Sequence, residues 1–269
     1  MRIISISEPI VEIRFLNAGS GSRGFYVDTL PVHVAQVRGL PDEVAAMVVT
    51  ADLQGRETFG DANGQPIRLL GEVLPERLAV EIFPQLNLPA GHIGAVLAGD
   101  FYTVPALDKR GGTGDVTEVW RAFAYQFDWA VGVAGNHDKY EDETMPSQQP
   151  SSNSRVLDKQ SADFDGIRFA GVSGTIGNPK RHWRRTLESY CDAIEESVTR
   201  STDMLILHDG PDSPCGGGKG SSDVRELLEL LPRTLVVRGH AHWKTPLVQL
   251  ANGTQVLNVD SRCVILRDQ

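Results

Sequence analysis

Val236-Val237-Arg238-Gly239-His240-Ala241-His242 joins the end of an apolar, strand-like run to candidate metal ligands. The valines predict a β-strand that stops at Gly239, where the backbone can turn tightly. His240 and His242 are spaced by one residue, so both imidazoles can leave the strand end on the same side. Imidazole nitrogen binds zinc, iron, nickel and manganese. Close histidines also occur on ordinary surfaces, so the assignment depends on the rest of the chain.

Earlier apolar runs also end at residues that can bind a cation. The residues at these ends are Asp52, Asp100, Asn136 and His208. The carboxyl ends of parallel strands meet at one edge of a sheet, so these side chains are expected to share a crevice with His240 and His242. Each one alone could be a turn residue or a satisfied polar group. Their repeated position after apolar runs is the evidence for a single site.

Length and composition predict one domain over residues 1–269, since the chain is 41% hydrophobic and has no flexible linker. We interpret residues 1–44 as an N-terminal β-ribbon extension and residues 45–269 as the catalytic core. The ribbon is expected to act as a lid on a sheet edge or as a contact arm. Its loop spells G-x-G-x-x-G at 19–24, but a dinucleotide fingerprint needs a helix next, and the following residues 25–27 predict a strand.

Charge and cysteine content restrict the compartment and the partners. The formal net charge of −9 disfavours a broad surface for nucleic acid or membrane, although a local cation site can still bind a phosphate. The sequence contains no apolar run of membrane-spanning length, and its first residues lack the pattern of a signal peptide. Cys191, Cys215 and Cys263 are odd in number and widely spaced, which favours reduced thiols. We therefore predict a cytoplasmic protein without a membrane partner.

Helices are predicted between the strands. Apolar periodicity indicates a helix over 67–83 that breaks or restarts at Pro75, and another that is capped by Asp115 or Thr117. Further helices are expected over 180–198 and from Ser222 or Asp223 to residue 231. Parallel strand–helix units predict helices outside two packed sheets.

The remaining segments are assigned to loops and to a tail of strands. Residues 139–155 predict a long polar surface loop. The loop at 214–221 resembles a phosphate cradle, but Gly220 stands where a P-loop needs Ser or Thr, so we interpret it as a mobile loop. The tail at 246–250, 255–259 and 263–266 predicts antiparallel strands with a turn at 252–253.

The ordered set of Asp-x-Gln, Gly-Asp, Gly-Asn-His-Asp, His and Gly-His-Ala-His resembles the calcineurin-like metallophosphoesterase family over residues 46–262. The specific part of the match is 135–138 together with 239–242. The resemblance implies an α/β protein with a four-layer α/β/β/α sandwich, here with the β-ribbon added. It also implies two divalent metals, which two-metal phosphoryl chemistry needs about 3.5 Å apart.

The resemblance further assigns roles to residues. The first metal would be held by Asp52, Gln54 and His242. Asp100 would bridge both metals, and the second would be held by Asn136, His208 and His240. His137 would be the general acid, because an imidazole can donate a proton near neutral pH. Manganese is favoured, with iron, zinc, nickel and magnesium as alternatives.

The expected reaction is hydrolysis of a small phosphorylated substrate, either a phosphodiester or a phosphomonoester. A metal-bridging hydroxide would attack phosphorus in line. A non-enzymatic scaffold of the same fold is the alternative from another class, and the presence of His137 argues against it. A nucleotide diphosphatase and a nucleic-acid phosphodiesterase are further alternatives, the latter disfavoured by net charge. The oligomeric state is left open.

Two positions depart from the family pattern. Gln54 replaces the usual histidine of Asp-x-His, and the amide oxygen is a harder, weaker ligand than imidazole. Asp-x-Gln also occurs in manganese-dependent ADP-ribose and CDP-alcohol diphosphatases of the superfamily, which favours a diester or diphosphate substrate. Thr103 stands where many members have an acid that orients the catalytic histidine. Asp138 is a candidate for that role.

Some residues have less specific interpretations. Asp138 and Arg56 are candidate substrate contacts, with a surface salt bridge as the alternative for Arg56. The basic stretch 180–185 could bind an anion or stack a base, but a solvated helix start is the favoured interpretation. His33, His92 and His182 are assigned to structural or surface roles.

Overall fold

The computed structural model describes residues 1–19, 24–57, 67–109, 111–141 and 149–268. The G-x-G-x-x-G loop and the polar loop 139–155 fall partly outside these residues. In chain order the first strands are β1 (Arg2–Ile6), β2 (Val11–Ala18), β3 (Phe25–Arg38), β4 (Ala46–Ala51), β5 (Gly55–Arg56), β6 (Ile93–Leu97), β7 (Gly114–Asp115), β8 (Trp129–Gly132), β9 (Asp138–Lys139) and β10 (Ser154–Val156).

The second half of the described chain adds the remaining strands and helices. These strands are β11 (Gln160–Phe164), β12 (Ile167–Val172), β13 (Thr175–Ile176), β14 (Arg184–Arg185), β15 (Met204–Leu207), β16 (Leu235–Arg238), β17 (Leu247–Gln249), β18 (Gln255–Asn258) and β19 (Arg262–Asp268). The α-helices are α1 (Leu70–Arg77), α2 (Thr117–Gln126), α3 (Leu187–Ser197) and α4 (Ser222–Leu230). A π-helical turn (Leu78–Ile82) and a 3-10 turn (Pro84–Leu86) follow α1.

Two large sheets form the centre of the described structure. The first is nine-stranded, with the order β10-β8-β6-β4-β19-β3-β2-β5 and with β1 also paired to β3. The second is six-stranded, with the order β11-β12-β15-β16-β18-β17. Strands β4, β6, β8 and β10 are parallel, as are β12, β15, β16 and β18. The carboxyl ends of the central strands of each sheet therefore share one edge.

Three apolar clusters separate the layers. One packs α1 and α2 against the first sheet, through residues such as Leu74 and Trp120. A second lies between the sheets and includes Val49 and Val237. A third packs α3 and α4 on the second sheet, with Ile194 and Leu228 at its centre. The predicted four-layer α/β/β/α sandwich is confirmed.

The N-terminal ribbon belongs to the first sheet. Strand β3 pairs in parallel with β19 from Val32 to Val37, and β19 pairs on its other side with β4. Leu30 and Val32 are buried in the cluster under α1 and α2. The ribbon thus extends the sheet through β19.

Several element boundaries differ from the predictions. The break predicted at Pro75 is not observed, because burial of Leu70, Val73 and Leu74 holds the helix through the proline. The helix predicted from residue 180 begins at Leu187, where the Thr186 side chain caps the Ser189 N–H at 3.2 Å.

The tail is divided between the two sheets. Strands β17 and β18 form the predicted antiparallel pair, whereas β19 crosses to the first sheet. None of the described helices is long and apolar enough to cross a lipid bilayer.

Candidate metal centre

The predicted ligands lie at the strand ends that meet along one edge of the two sheets. Asp52 follows β4, Asp100 follows β6, and His208 follows β15. Backbone hydrogen bonds join these ends within each sheet and fix their relative positions. The Asp52 N–H donates to the Gly99 carbonyl at 2.8 Å, and the Gly239 N–H donates to the His208 carbonyl at 3.2 Å.

Asp100, His208 and His240 form the centre of the site. Their ligand atoms all lie within 4.8 Å of one another. The Nε2 atom of His208 is 3.2 Å from Oδ2 of Asp100, and the ring centroids of His208 and His240 are 5.1 Å apart. A carboxylate oxygen and imidazole nitrogens at this spacing can surround one divalent cation.

The orientation of His208 is set by the backbone of the neighbouring sheet. Its Nδ1 lies 2.7 Å from the carbonyl oxygen of Ala98, to which it can only donate. The second nitrogen, Nε2, is therefore directed at the site. A carbonyl that holds one imidazole nitrogen in this way fixes the tautomer that binds a metal through the other.

Three candidate ligands have left-handed backbone conformations. The φ angles are 56° at Asp52, 60° at Asp100 and 66° at His240. This conformation is uncommon outside glycine and costs of order 1–3 kcal/mol per residue. The surrounding bonds maintain it, including one of 2.8 Å from the His240 N–H to Oδ2 of Asp52.

Glycines precede the ligands where a carboxylate passes close to the backbone. A Cβ atom on Gly135 would lie 2.0 Å from Oδ1 of Asp100, and one on Gly239 would lie 2.4 Å from Oδ2 of Asp52. Gly239 does not have a positive φ. The predicted tight turn is present, because the Ala241 N–H donates to the Gly239 carbonyl at 2.8 Å. In addition, the missing side chain of Gly239 lets the Asp52 carboxylate approach the backbone.

The charges of the site depend on burial and on His208. Burial and the neighbouring Asp260 raise the pKa of Asp52 well above its usual value. Burial also opposes ionisation of Asp100, but His208 and His137 together outweigh it, and the pKa of Asp100 is lowered to about 2. Although burial disfavours a charged imidazole, Asp100 and Asp52 raise the pKa of His208 to about 10. These buried carboxylates are stabilised by a positive charge at this position.

Asn136 and His240 add to the evidence for a cation. Asn136 is buried, and its Oδ1 has no hydrogen-bond partner in the described part of the chain. An unpaired buried carbonyl oxygen is costly, whereas a metal ion would satisfy it. Burial and His208 lower the pKa of His240, which favours the neutral imidazole that binds metals. The donor set of carboxylate, amide oxygen and imidazole fits a divalent cation.

Gln54, whose role as a ligand stays a prediction, lies beside the centre. It lines the same cavity as Asp52 and Asp100, and its Nε2 donates to Oδ2 of Asp100 at 3.1 Å. Rotation of the terminal amide by half a turn would present Oε1 in the same place. The side chain is thus within reach of an ion held by Asp100.

His242 is not brought into this cluster. Its side chain is 54% exposed, and its Nδ1 is 3.1 Å from the carbonyl oxygen of Asp260. The guanidinium of Arg262 lies 3.0 Å from its Nε2. The role of His242 as a ligand stays a prediction.

His137 faces a cavity of about 400 Å³ that also contains Asp52, Asp100 and His240. Its backbone N–H donates to Oδ1 of Asp100 at 2.8 Å. The Nδ1 atom is buried and has no partner among the described residues. The ring therefore stands next to the centre without being a member of its ligand cluster.

Asp138 and Arg56, whose substrate contacts stay predictions, make side-chain hydrogen bonds to backbone groups. The Asp138 carboxylate is fully buried and accepts backbone N–H bonds of 2.8 Å each from Asp100, Phe101 and Gly135. Arg56 is also buried and donates to backbone carbonyls of residues 67, 103 and 104. Both side chains hold loops together, because each forms hydrogen bonds to backbone groups of other chain segments.

The remaining candidates have structural contacts. Thr103 lines the cavity. In the basic stretch Arg185 pairs with Asp158, and Trp183 packs against the core below α1 and α2. His182, for which the sequence indicates no partner, lies with Nε2 2.6 Å from the backbone carbonyl of Asp138.

The N-terminal ribbon forms a part of the cavity that was not predicted from the sequence. Asn17 on β2 and Tyr26 and Asp28 on β3 line the cavity that contains the candidate ligands. Their strand alternation was visible in the sequence, but the pairing that carries them to the site was not.

Comparisons with known proteins agree with this geometry. The model of the calcineurin-like phosphoesterase family matches residues 48–244, which is more than half of the chain. Comparison with curated proteins found no significant match. Among solved structures, the crystal structure of TT1561 of Thermus thermophilus aligns with a TM-score of 0.51 at 17% identity, covering 80% of this chain and 88% of that one. At that identity the likeness shows the fold. With the family model and the strand-end ligands in agreement, the chain belongs to the calcineurin-like phosphoesterase family.

Proposed function

We propose that the protein is a hydrolase that uses two divalent ions to cleave a phosphodiester or a phosphomonoester. The observation that carries the proposal is the cluster of Asp100, His208 and His240. Asn136, whose Oδ1 is unpaired among the described residues, precedes His137, and the His137 N–H donates to Asp100. Family membership supports phosphoester hydrolysis in general. The donor set, in which Asp100, Asn136 and His208 are buried, supports a metal-dependent form of it.

The ligands divide into two sets. Asp100, Asn136, His208 and His240 would hold one ion. Asp52 and Gln54, beside Asp100, would hold the other together with His242, and Asp100 would be shared. Divalent ions bound here would activate a water molecule as the nucleophile and neutralise charge on the phosphate oxygens. The carboxylates and the Gln54 amide favour an oxygen-preferring ion, and we propose manganese.

The chain's own residues would position the substrate and move a proton. His137 would donate a proton to the leaving oxygen through Nε2, because its Nδ1 is buried. Its backbone N–H bond to Asp100 fixes the position of the ring relative to the ligands. Asp138 would keep that loop closed through its three backbone bonds.

The test compares His208→Asn with His33→Gln, a control on β3 in the ribbon. Each protein is loaded with manganese, analysed for bound metal, and assayed with p-nitrophenyl phosphate and bis-p-nitrophenyl phosphate. We expect the wild type and His33→Gln to bind two ions per chain and to hydrolyse one or both substrates. His208→Asn should lose metal and activity while keeping its circular dichroism spectrum. Equal hydrolysis by folded His208→Asn would place the activity elsewhere.

A further inference from the structure

We propose that the paired ends of β2 and β3 form a specificity wall that binds the organic group of the substrate and rejects a second phosphate. The inference rests on the proposed function and names its substrate class. That class is phosphoesters whose organic group carries hydrogen-bond donors, either hydroxyl or ammonium. The wall consists of Asn17, Tyr26 and Asp28, with Phe15 behind it.

Strand register places these side chains on one face. Asn17 pairs directly with Tyr26, and Phe15 pairs with Asp28. Residues that face each other across a pair lie on the same side of the sheet, as do residues two apart along a strand. Four neighbouring side chains therefore share one surface, and all of them line the cavity of the metal centre.

Strand β5 fixes this surface beside the ligands. Asn17 pairs with Gly55, which follows Gln54 in the chain. A Cβ atom on Gly55 would lie 2.2 Å from Cδ2 of Phe15, so the glycine allows the phenyl ring to pack over the loop that carries Asp52 and Gln54. The wall and the ligand loop thus form one packed unit.

The wall is organised around the carboxylate of Asp28. Its Oδ2 accepts from Asn17 Nδ2 at 3.0 Å and from the Tyr26 hydroxyl at 3.2 Å, and its Oδ1 accepts from the Thr29 N–H at 2.9 Å. All these donors are neutral, and Asp28 forms no ion pair with a described residue. Within the described part of the chain, the negative charge is held in place by neutral donors and not by a cation.

The charge balance of the cavity determines what it accepts. Its lining includes the carboxylates of Asp28 and Asp260 in addition to those of Asp52 and Asp100. Among its described lining residues, the side chains that can carry positive charge are His137 and His240. The ligand carboxylates would be balanced by metal, whereas Asp28 would face the organic group of the ester. A donor is attracted to that position, and a further phosphate is repelled.

The test uses 4-nitrophenyl phosphodiesters that differ only in the second alcohol. This alcohol is 2-aminoethyl, 2-hydroxyethyl, propyl or 2-phosphooxyethyl, so the leaving group is constant. The proteins are the manganese-loaded wild type, Asp28→Asn, and the control Glu12→Gln, which removes a charge from an exposed position on β2. For the wild type we expect kcat/KM to be roughly tenfold higher for the aminoethyl than for the propyl ester, as for one charge-assisted contact. The phosphooxyethyl ester should be the poorest substrate.

Asp28→Asn should bring the aminoethyl-to-propyl ratio close to one, and Glu12→Gln should leave it at the wild-type value. An unchanged ratio in Asp28→Asn, or a preference of the wild type for the phosphate-bearing ester, would overturn the specificity wall. Hydrolysis of the propyl ester would still support the proposed function in that case. If no ester is hydrolysed, the proposed function fails, and the wall is judged by binding. Titration calorimetry then compares the Kd of phosphoethanolamine with the Kd of propyl phosphate, without turnover. If this affinity ratio is the same in the wild type and in Asp28→Asn, the specificity wall is rejected.

Discussion

His137 is the residue whose removal should separate chemistry from metal binding. It lines the cavity and is joined to Asp100 through its backbone, so His137→Ala keeps the contact that its main chain makes. We expect bound metal to be unchanged and the rate with poor leaving groups to fall by about 10²- to 10⁴-fold, the usual contribution of general acid catalysis. Metal analysis and kcat for an alkyl phosphoester measure both effects.

The leaving group provides the control for this prediction. A p-nitrophenolate leaves with little need of a proton, so His137→Ala should lose much less rate with p-nitrophenyl esters. The same loss with alkyl and p-nitrophenyl esters would exclude the role as general acid.

Gln54 should decide which metal the first site prefers. Its amide lies 3.1 Å from Oδ2 of Asp100, a position from which its oxygen can bind an ion shared with that carboxylate. Gln54→His replaces this ligand with imidazole, so affinity should rise and preference should shift from manganese towards zinc or nickel. Gln54→Ala should weaken this site and leave the other occupied. Titration of each variant with manganese and zinc, with activity recorded alongside, distinguishes these effects. If neither variant changes metal affinity, Gln54 is not a ligand.

Gly135 should tolerate no side chain. A Cβ atom there would lie 2.0 Å from Oδ1 of Asp100 and 2.4 Å from its backbone nitrogen, so this candidate ligand must shift to make room. Gly135→Ala is expected to weaken metal binding and to cost about 1–3 kcal/mol of stability, the range for overpacking. Gly91→Ala is the matched control, because nothing lies within 4 Å of its Cβ position. Calorimetric metal titration and urea unfolding compare the two, and similar values would show that the carboxylate has room to shift.

The sequence predicted the residues of the site better than their contacts. Asp52, Asp100 and His208 follow apolar runs, and strand ends are recognisable from local pattern alone. The hydrogen bonds of Arg56 and Asp138 could not be predicted, because their partners are backbone groups of distant loops, which leave no pattern in the sequence. The left-handed backbone of Asp52 was equally hidden, since it depends on bonds formed between strands.

Among the elements, the ribbon differs most from its expected role. Strand β3 lies inside the first sheet, and Leu30 on it is 1% exposed, whereas Val27 on the same strand is 47% exposed. Leu30→Ala should lower the free energy of unfolding by about 2–5 kcal/mol, because it leaves a cavity in the core. Val27→Ala should change it by less than about 0.5 kcal/mol. Urea unfolding measures the change in the free energy of unfolding for both variants. Equally small changes would indicate that the ribbon is a loosely attached arm.

Element boundaries could be predicted where local signals were strong. The start of α2 near Thr117 and the antiparallel pair β17–β18 follow from local pattern. The start of α3 was missed, although Thr186 is a capping residue type three positions before Ser189. The pairing of β3 with β19 could not be predicted, because register between strands so far apart in sequence depends on the whole sheet.

At the scale of the whole molecule, the cysteines should report unfolding. Cys263 on β19 is fully buried, and burial raises the pKa of its thiol to about 12, so the reactive thiolate is scarce. Cys215 is exposed. A thiol reagent should label Cys215 within the native protein and Cys263 only after denaturant opens the first sheet. Mass spectrometry of labelled peptides across a urea series shows at which urea concentration each cysteine is labelled. Labelling of Cys263 below the unfolding transition would mean that β19 opens separately.

The position of β19 also governs the order in which the chain can assemble. It lies between β3 and β4, and it pairs with both although they precede it by more than 200 residues, as in the pair Val32 with Cys263. Until residues 262–268 have left the ribosome, β3 and β4 expose unpaired edges to each other across an open gap. Without β19 the first sheet is divided into two parts, with β4, β6, β8 and β10 in one and β3 and β2 in the other. We therefore expect these two parts to join only after residues 262–268 have been synthesised.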